Sequence, residues 1–284
     1  MIQTYVLDSA ALPDPFEEQA APDGQWEGRL SGERLEQIRR IRHPGARKQS
    51  MGAGLLLEHM RRRIAPDVRI QKNAYGKPFC TGVPFSLSHT ADAVILSVWE
   101  SAGRLEDAAQ PCADLEFCEF GIGCDIERVK PYEPRIARRF FTRAEYESLE
   151  ALQEERAQAE LFYRYWTKKE SVMKLAGLGI SLPMDLYDVR GAKVSVDTKK
   201  ARQWYRQCIR KGQEKPGFEK AAEIVLHRGM FLKEYRYQEY CITVCSTRDV
   251  FAPEMIPMYF NGQRLENTED RVKSADWAIA ENND

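Results

Sequence analysis

The sequence lacks the features that mark several large classes of protein. Its 42 lysines and arginines are balanced by 43 aspartates and glutamates, so there is no overall positive charge to attract a polyanion. It contains no run of about 18 apolar residues, so no membrane-spanning helix is predicted. Its first residues show no basic start followed by an apolar stretch, so no secretory signal is expected. Neither nucleic acid nor a membrane is an expected partner.

Cysteine and histidine patterns typical of metal sites are also missing. None of the seven cysteines forms a CxxC pair, and the four histidines are scattered along the chain. Zinc is therefore not expected. An odd number of cysteines without a disulfide pattern fits reduced thiols and a cytoplasmic location.

What the sequence does contain is two short acidic segments. Asp125 and Glu127 lie two residues apart in a predicted strand, so their side chains share one face. Trp166, Glu170 and Lys174 recur every four residues in a predicted helix and form one stripe. If this stripe lies over that strand, three carboxylates meet a lysine. Crowded carboxylates repel unless a cation lies among them, and oxygen ligands with open positions suit Mg²⁺ bound to a phosphate. The two segments together predict a Mg²⁺-pyrophosphate site.

Each piece taken alone has a simpler interpretation. An Asp-x-Glu pair on a strand is usually a solvated face. Glu170 and Lys174 alone would form a helix-surface ion pair, and Trp166 alone would be a core residue. The combination favours the site.

Hydrophobic periodicity and turn residues predict alternating helices and strands. Helices are predicted over residues 31–41, 46–63, 136–141 and 155–176, with a capping box at Thr142 to Glu145 opening a further helix. Strands are predicted over residues 1–8, 68–70, 93–98, 121–127, 187–189, 193–196, 222–226, 230–235 and 240–244, and a further strand from residue 85 up to a turn at residues 88–89. Residues 100–119 are interpreted as an inserted loop or hairpin, and residues 198–220 as a basic insertion.

Several polar residues are candidate anion ligands. Arg47 and Lys48 lie in the first turn of the helix over 46–63, where free backbone N–H groups favour a phosphate. Gly76 allows a tight turn, and Pro78 fixes the chain that leaves it. Ser88 and His89 are placed at a polar turn between two strands, either as phosphate-oxygen donors or as structural turn residues. Hydrolysis by this pair is discounted because no triad acid or oxyanion loop accompanies it.

In sequence order, these pieces resemble the Sfp-type 4'-phosphopantetheinyl transferases, which modify carrier domains of nonribosomal peptide and polyketide synthases. Five segments between about residues 30 and 190 carry the resemblance, each weak alone. They are Asn73-x-Tyr75-Gly76-Lys77-Pro78, Ser86-x-Ser88-His89, Gly123-x-Asp125-x-Glu127, Arg139-Phe140-Phe141, and Trp166-x-x-Lys169-Glu170-x-x-x-Lys174 with Gly177-x-Gly179.

The resemblance implies an α/β (α+β) fold of two similar α/β subdomains related by a pseudo-twofold axis, with the cofactor between them. Residues 1–118 and 119–264 would be these subdomains, and residues 265–284 a disordered tail. It also suggests a monomer.

The resemblance further implies coenzyme A as co-substrate and assigns roles to particular residues. Asp125, Glu127 and Glu170 would bind Mg²⁺, and Lys174 would reach the pyrophosphate. The remaining ligands of coenzyme A would be Gly76, Lys77 and Pro78 along the adenine, Ser88 and His89 at phosphates, and Arg39, Arg47 and Lys48, with Arg34, at the 3'-phosphate.

In the implied reaction, a serine hydroxyl of an apo peptidyl or acyl carrier protein attacks the phosphate next to pantetheine, and 3',5'-ADP leaves. Glu170 would take the serine proton as general base, or Glu127 would do so instead, and Lys174 would offset charge on the departing phosphate. The carrier would dock near Lys130–Leu149, with Phe140 and Phe141 as apolar contacts or as core residues.

Two other functions stay open at this point. One is another Mg²⁺-dependent phosphoryl or nucleotidyl transferase, which the absence of a Walker-type glycine loop disfavours. The other is a non-catalytic module that binds coenzyme A or a nucleotide, which the presence of all three acidic residues and the lysine disfavours.

Overall fold

The computed structural model describes residues 1–14, 26, 28–64, 68–100, 120–262 and 264–268. Up to residue 100 it contains strands and helices in the order β1 Ile2–Asp8, α1 Gly32–Arg39, α2 Pro44–Ile64, β2 Ile70–Lys72, β3 Pro78–Cys80, β4 Phe85–Thr90 and β5 Ala93–Trp99. From residue 120 onward the order is β6 Ile122–Arg128, α3 Pro134–Phe140, α4 Arg143–Glu150, α5 Glu155–Ala176, β7 Tyr187–Asp188, β8 Ser195–Val196, α6 Thr198–Arg210, α7 Phe218–His227, β9 Phe231–Tyr237, β10 Tyr240–Ser246, β11 Ile256–Phe260 and β12 Leu265–Asn267.

Two sheets form the centre of the described structure. The first has the strand order β12-β11-β1-β5-β4, with β1 parallel to β11 and its other pairs antiparallel. The second is antiparallel with the order β6-β10-β9. Strand β4 ends the first sheet and β6 ends the second. An apolar cluster joins the two sheets, with Ile2, Val6 and Ile95 from the first packed against Ile122, Ile126 and Ile242 from the second.

Helix α5 packs directly on β6 because residue 123 is glycine. A Cβ atom at Gly123 would lie 2.0 Å from the carbonyl oxygen of Ser171 and 2.3 Å from the amide nitrogen of Leu175. Any side chain here would therefore push the helix away from the strand. Helix α5 ends at Gly177, which adopts φ 71° and donates its N–H to the carbonyl of Met173. This geometry places the second acidic segment over the first.

Several predicted elements are confirmed. Helix α5 spans residues 155–176 as predicted, and Thr142 and Glu145 form the reciprocal capping box that opens α4. The inward positions predicted for α2 are buried, including Met51, Leu56 and Met60.

The described cysteines, Cys80, Cys124, Cys208, Cys241 and Cys245, are buried and free of disulfides. No helix in the described parts of the chain is both long enough and apolar enough to cross a bilayer.

Other predictions are wrong. Residues 222–226 were predicted as a strand but lie within α7, whose buried Phe218, Ala221, Ala222 and Val225 follow helical spacing. The basic insertion over 198–220, for which no secondary structure was predicted, contains α6 and the start of α7. Ser88 and His89 lie within β4, and the turn that follows is Ala91-Asp92, with Ala91 at φ 44°.

The predicted domain limits stay a prediction, with one correction at the C-terminal end. Residues 265–267 form β12, which pairs with β11, so a disordered tail does not begin at residue 265. Strand β11 pairs with β1, so this part of the chain joins the first sheet. The predicted loop over 101–119 and the tail from 269 lie outside the described residues.

We expect Gly123→Ala to lower the free energy of unfolding by about 3 kcal/mol, because the new methyl group overlaps backbone atoms of α5 that have no room to move. Urea denaturation followed by circular dichroism measures this change. Gly32→Ala is the matched control, since a Cβ atom at Gly32 meets nothing within 4 Å. Equal stability of the two variants would show that α5 does not rest on β6 in this way.

Candidate active site

Asp125 is the centre of a buried polar network between the two sheets. Its side chain is on β6, and the residue is 4% exposed. One carboxylate oxygen, Oδ1, accepts a hydrogen bond from Ser88 Oγ at 2.8 Å and from Lys174 Nζ at 2.6 Å. Lys174 Nζ also donates to Ser88 Oγ at 2.7 Å. Strand β4, strand β6 and helix α5 thus meet at a single carboxylate.

The second oxygen of the same carboxylate, Oδ2, differs from the first. Asp125 Oδ2 is buried and has no hydrogen-bond partner among the residues that the structure describes. A buried carboxylate oxygen without a donor is costly, because it has lost its water and gained no compensating contact. Such an oxygen is suited to a cation or a donor that arrives with a ligand.

A row of hydroxyl groups along β4 faces this part of β6. Ser86 Oγ accepts the N–H of Cys124 at 3.0 Å, and Thr90 Oγ1 donates to Glu127 Oε2 at 2.9 Å. Together with Ser88, these are every second residue of β4, the spacing that puts side chains on one face of a strand. The row therefore positions both acids of the first segment.

Ser88 and His89 were expected to act together, but strand alternation separates them. They are adjacent residues of β4, so their side chains leave opposite faces of the strand. Partial desolvation and the charge of Lys174 lower the pKa of His89, so its imidazole is neutral at pH 7.

Glu170 is the acid that α5 adds to the site. Burial, and next the negative charge of Asp125, raise the pKa of Glu170 to about 7. Burial and Asp125 also raise the pKa of Glu127. The three carboxylates are therefore close enough for the charge of one to raise the pKa of another, as the spacing of the two segments predicts.

Lys174 keeps its positive charge at this site. Burial works to lower its pKa, but the attraction of Asp125 and the hydrogen bond to it outweigh burial, and the pKa lies above its usual value. The lysine offsets part of the negative charge of the three acids. In the described residues, no three acids, histidines or cysteines lie close enough together to enclose a metal ion as they stand.

A tight loop over residues 73–77 forms one wall beside the site. Asn73 Oδ1 accepts the N–H groups of Tyr75 and Lys77 at 3.0 and 2.9 Å, and Gly76 adopts φ 87°. Asn73 Nδ2 donates to the carbonyl of Gly177 at 3.1 Å, which attaches the loop to the end of α5. The backbone of the loop is thereby fixed against the helix that carries Glu170.

The ammonium of Lys77 binds backbone carbonyl groups. Its Nζ donates to the carbonyls of Ile122 at 3.2 Å and Leu175 at 3.1 Å. It therefore links the start of β6 to the last turn of α5. This contact was not foreseen from the sequence, which suggested only a lysine held in place by its neighbours.

A cleft runs from the loop over 73–77 to the acidic site. It brings together five of the predicted residues, Gly76, Lys77, Pro78, Glu170 and Lys174. The described residues that line it are Tyr75, Gly76, Lys77, Pro78, Ser86, Leu87, Glu170, Met173, Lys174, Gly177, Gly179 and Ile180. Asp125 adjoins this cleft through Lys174.

The predicted basic cluster is not among the described residues that line this cleft. Arg47 binds Asp14, with Nε 3.0 Å from both carboxylate oxygens, and donates to the carbonyl of Arg42 at 3.0 Å. Lys48 Nζ donates to the carbonyl of Ala10 at 3.1 Å, and exposed Arg39 pairs with Glu36 at 2.8 Å.

Part of this chain is similar in sequence to known proteins. The model of the 4'-phosphopantetheinyl transferase superfamily matches residues 121–245. The 4'-phosphopantetheinyl transferase Sfp of Bacillus subtilis (strain 168) is 34% identical over 168 residues, which cover 57% of this chain and 66% of that protein. The 4'-phosphopantetheinyl transferase ffp of Bacillus subtilis is 32% identical over 178 residues, covering 59% of this chain and 70% of that protein.

This chain belongs to the 4'-phosphopantetheinyl transferase family. The predicted resemblance and the mixed α/β fold class are thereby confirmed. A more distant relative, the 4'-phosphopantetheinyl transferase AcpT of Salmonella typhi, is 32% identical over 138 residues, covering 47% of this chain and 61% of that protein. The family match begins just before β6 and ends within β10, so it includes both acidic segments.

A second lysine of α5, Lys169, forms a buried ion pair in the protein core. Lys169 is fully buried, and its Nζ lies 2.8 Å from Glu145 Oε2 while donating to the carbonyls of Met184 and Tyr187 at 2.8 and 2.9 Å. Glu145 also accepts the N–H of Val189 at 2.8 Å. The pair fixes the rotation of α5, and hence the direction of Glu170. The capping role of Glu145 was predicted from the sequence, and this ion pair was not.

The two phenylalanines predicted near the partner surface differ in environment. Phe141 is buried in the core, where it stacks on Phe162, so of the two roles left open for Phe141 the core role is confirmed. Phe140 is half-buried against Trp166, with ring centroids 5.9 Å apart.

We expect Glu170→Gln to stabilise this protein in metal-free buffer above pH 7. Because the folded-state pKa of Glu170 is about 7 against 4.5 for a free glutamate, the folded protein binds more protons between these values. The free energy of unfolding therefore falls as the pH rises from about 4.5 to 7, and the variant escapes this loss. Urea denaturation with chelator should show a gain of about 3 kcal/mol at pH 8 and little at pH 5.

Glu223→Gln, which changes an exposed acid of α7, is the control for this measurement. A gain that is equal at both pH values, or equal in the control, would contradict the buried environment assigned to Glu170.

Proposed function

We propose that this protein transfers the 4'-phosphopantetheine group of coenzyme A to a serine hydroxyl of an apo peptidyl or acyl carrier protein and releases 3',5'-ADP. The observation that carries the proposal is the buried Asp125 carboxylate, shared by Ser88 and Lys174 and left with one unpartnered oxygen beside the cleft. Membership of the transferase family supports the same reaction.

Asp125, Glu127 and Glu170 would hold a Mg²⁺ ion at this position. The unpartnered Asp125 Oδ2 fits this role, as do the raised pKa values of Glu127 and Glu170, which reflect burial first and the nearby charge of Asp125 next. Mg²⁺ commonly takes only one or two protein carboxylates and fills its shell with water and phosphate oxygens, so a closed protein cage is not needed. When bound, the ion neutralises charge that develops on the pyrophosphate.

Glu170 would accept the proton of the attacking serine. Glu170 lines the cleft, and a cation bound beside it would favour its ionised form, the form that can accept a proton. The serine oxygen then bonds to the phosphorus next to pantetheine, the bond from that phosphorus to the bridging oxygen breaks, and 3',5'-ADP departs. Glu127 is the alternative base, although one of its oxygens is already bound by Thr90.

Lys174 would offset charge on the leaving phosphate. Its ammonium is held by Asp125 and Ser88 at the cleft, so its position is set before a substrate binds. A preorganised cation stabilises developing charge without the cost of reorienting solvent.

Coenzyme A would lie along the cleft, with its adenine against Gly76, Lys77 and Pro78. Ser88 and His89 remain the proposed phosphate ligands, from opposite faces of β4. Arg39, Arg47 and Lys48 would bind the 3'-phosphate. A phosphate at Arg47 would compete with Asp14 for the guanidinium.

The carrier protein would dock near Lys130–Leu149, which includes α3 and α4. Helix α3 presents the exposed Arg135, Arg138 and Arg139 beside half-buried Phe140. Positive side chains of this kind favour association with an acidic partner. We also infer that the protein acts as a monomer.

We expect an apo peptidyl carrier domain, incubated with this protein, coenzyme A and Mg²⁺, to gain one phosphopantetheine on its serine, as read by intact mass. Glu170→Ala or an excess of chelator should lower the rate at least 100-fold, because the base and the charge of the metal site are lost. Failure of transfer to both peptidyl and acyl carriers while coenzyme A still binds would favour a binding module. ADP, AMP or free phosphate as product would favour another phosphoryl transferase.

We expect Asp125→Ala to lose metal affinity and transfer rate together, because it removes the unpartnered oxygen and the partner of Lys174. Titration calorimetry with Mn²⁺ in place of Mg²⁺ measures the affinity separately from activity. Glu223→Ala is the control at an exposed acid. Full activity or unchanged Mn²⁺ affinity in Asp125→Ala would rule out the metal assignment.

A further inference from the structure

Helix α6 presents four positive side chains on one face. Lys199, Arg202, Arg206 and Arg210 are spaced three, four and four residues apart, so they form one row along the helix. All four residues are exposed. The row, called here the α6 basic stripe, is about 16 Å long, because each helical residue rises about 1.5 Å.

The opposite face of α6 is buried in the protein. Ala201, Trp204 and Cys208 are all less than 10% exposed and belong to the core that also contains Phe218 of α7. Since buried and basic residues occupy opposite sides of one helix, the stripe points away from the protein body. Its charges are therefore free to meet a partner.

The side chains of the α6 basic stripe differ from arginines on four other helices in having no acidic partner among the described residues. No carboxylate among the described residues lies within ion-pair distance of its four side chains, and Arg210 Nε donates only to the carbonyl of Arg206 at 3.4 Å. Arginines on four other helices do have a glutamate three or four residues away; these pairs are Arg39–Glu36, Arg61–Glu58, Arg143–Glu147 and Arg156–Glu160.

Such an arrangement works against the stability of α6. Arg202 and Arg206, and likewise Arg206 and Arg210, are like charges four residues apart, which repel and destabilise a helix. A solvated helix face gains nothing from this pattern, and an i,i+4 glutamate would relieve it. The stripe is better explained by a role in binding.

Helix α6 is also attached to the cleft. Trp204 Nε1 donates to the carbonyl of Ser181 at 3.2 Å, and Ser181 follows Ile180, which lines the cleft and is 97% exposed. The loop after α6 reaches the other wall, where the N–H of Lys215 donates to the Tyr75 hydroxyl at 3.0 Å. Helix α6 therefore lies next to the cleft, and the stripe is on its outer side.

We propose that the α6 basic stripe binds an acidic surface of the protein that carries the acceptor serine, in addition to the docking region proposed near α3. This inference rests on the proposed function for the identity of the partner. A bilayer is disfavoured because the apolar face of α6 is buried, and Ile209, 39% exposed, is too small an apolar surface to insert on its own. A single-stranded nucleic acid is disfavoured because the stripe carries no aromatic ring on which bases could stack.

The test compares two double variants that remove the same charge. Arg202→Gln with Arg206→Gln neutralises the stripe, and Arg156→Gln with Arg264→Gln neutralises two exposed, ion-paired arginines elsewhere. The probe is an isolated apo peptidyl carrier domain of net negative charge. Its kcat/KM is measured at several salt concentrations, and its binding is measured by fluorescence anisotropy without coenzyme A.

The stripe variant should lose about tenfold in kcat/KM for the carrier at low salt and show a weaker salt dependence, because charge complementarity acts on association. Its KM for coenzyme A should not change, and its melting temperature should be equal to or above that of the unsubstituted protein. The control variant should behave like the unsubstituted protein.

Equal kcat/KM and salt dependence in the two variants would overturn the proposal, as would a loss explained by a lower melting temperature. Unchanged carrier binding, combined with lost retention of single-stranded DNA or of phosphatidylserine vesicles, would assign the stripe to that ligand instead. If the unsubstituted protein transfers nothing to any carrier, the proposed function fails. The anisotropy measurement then still decides whether the stripe binds the carrier.

Discussion

The site depends on direct contact between the backbone of helix α5 and strand β6. At Gly123 there is no room for a side chain, so the helix lies as close to the strand as two backbones allow. The acids of β6 and those of α5 come from distant parts of the sequence, and this contact sets the distance between them. The buried Lys169–Glu145 pair then fixes the rotation of the helix, and Lys77 ties its last turn to the strand.

The negative charge of the site is only partly compensated by the protein itself. Three carboxylates share a region from which water is largely removed, and Lys174 offsets only part of their charge. The unpartnered oxygen of Asp125 shows where the compensation is incomplete. A buried polar atom without a partner lowers the stability of the folded protein until a bound ligand supplies that partner. The incomplete compensation of charge at Asp125 is therefore typical of a binding site. The range matched by the family model includes both acidic segments.

Local patterns in the sequence were enough to predict the acidic pair, the stripe on α5 and the ends of that helix, because strand and helix periods and a terminal glycine are local properties. Residues 222–226 were assigned wrongly to a strand because α7 buries apolar residues at positions that also suit a strand. The roles of Thr90, Lys169 and Asp14 could not be predicted, since each depends on a partner from a distant segment. Ser88 and His89 were grouped because they are neighbours in sequence, whereas strand alternation separates them.

The hydroxyl row on β4 has a consequence for how this protein tolerates change. Ser86, Ser88 and Thr90 alternate with Phe85, Leu87 and His89, so a shift of one residue in the β4–β5 hairpin would exchange the two sets. Three hydroxyl contacts to β6 would disappear in one step, and two apolar side chains would face the carboxylates. The length of the two-residue turn at Ala91-Asp92 is therefore as closely tied to the chemistry as any side chain in the cleft, although neither residue of the turn is one of the three carboxylates of the site.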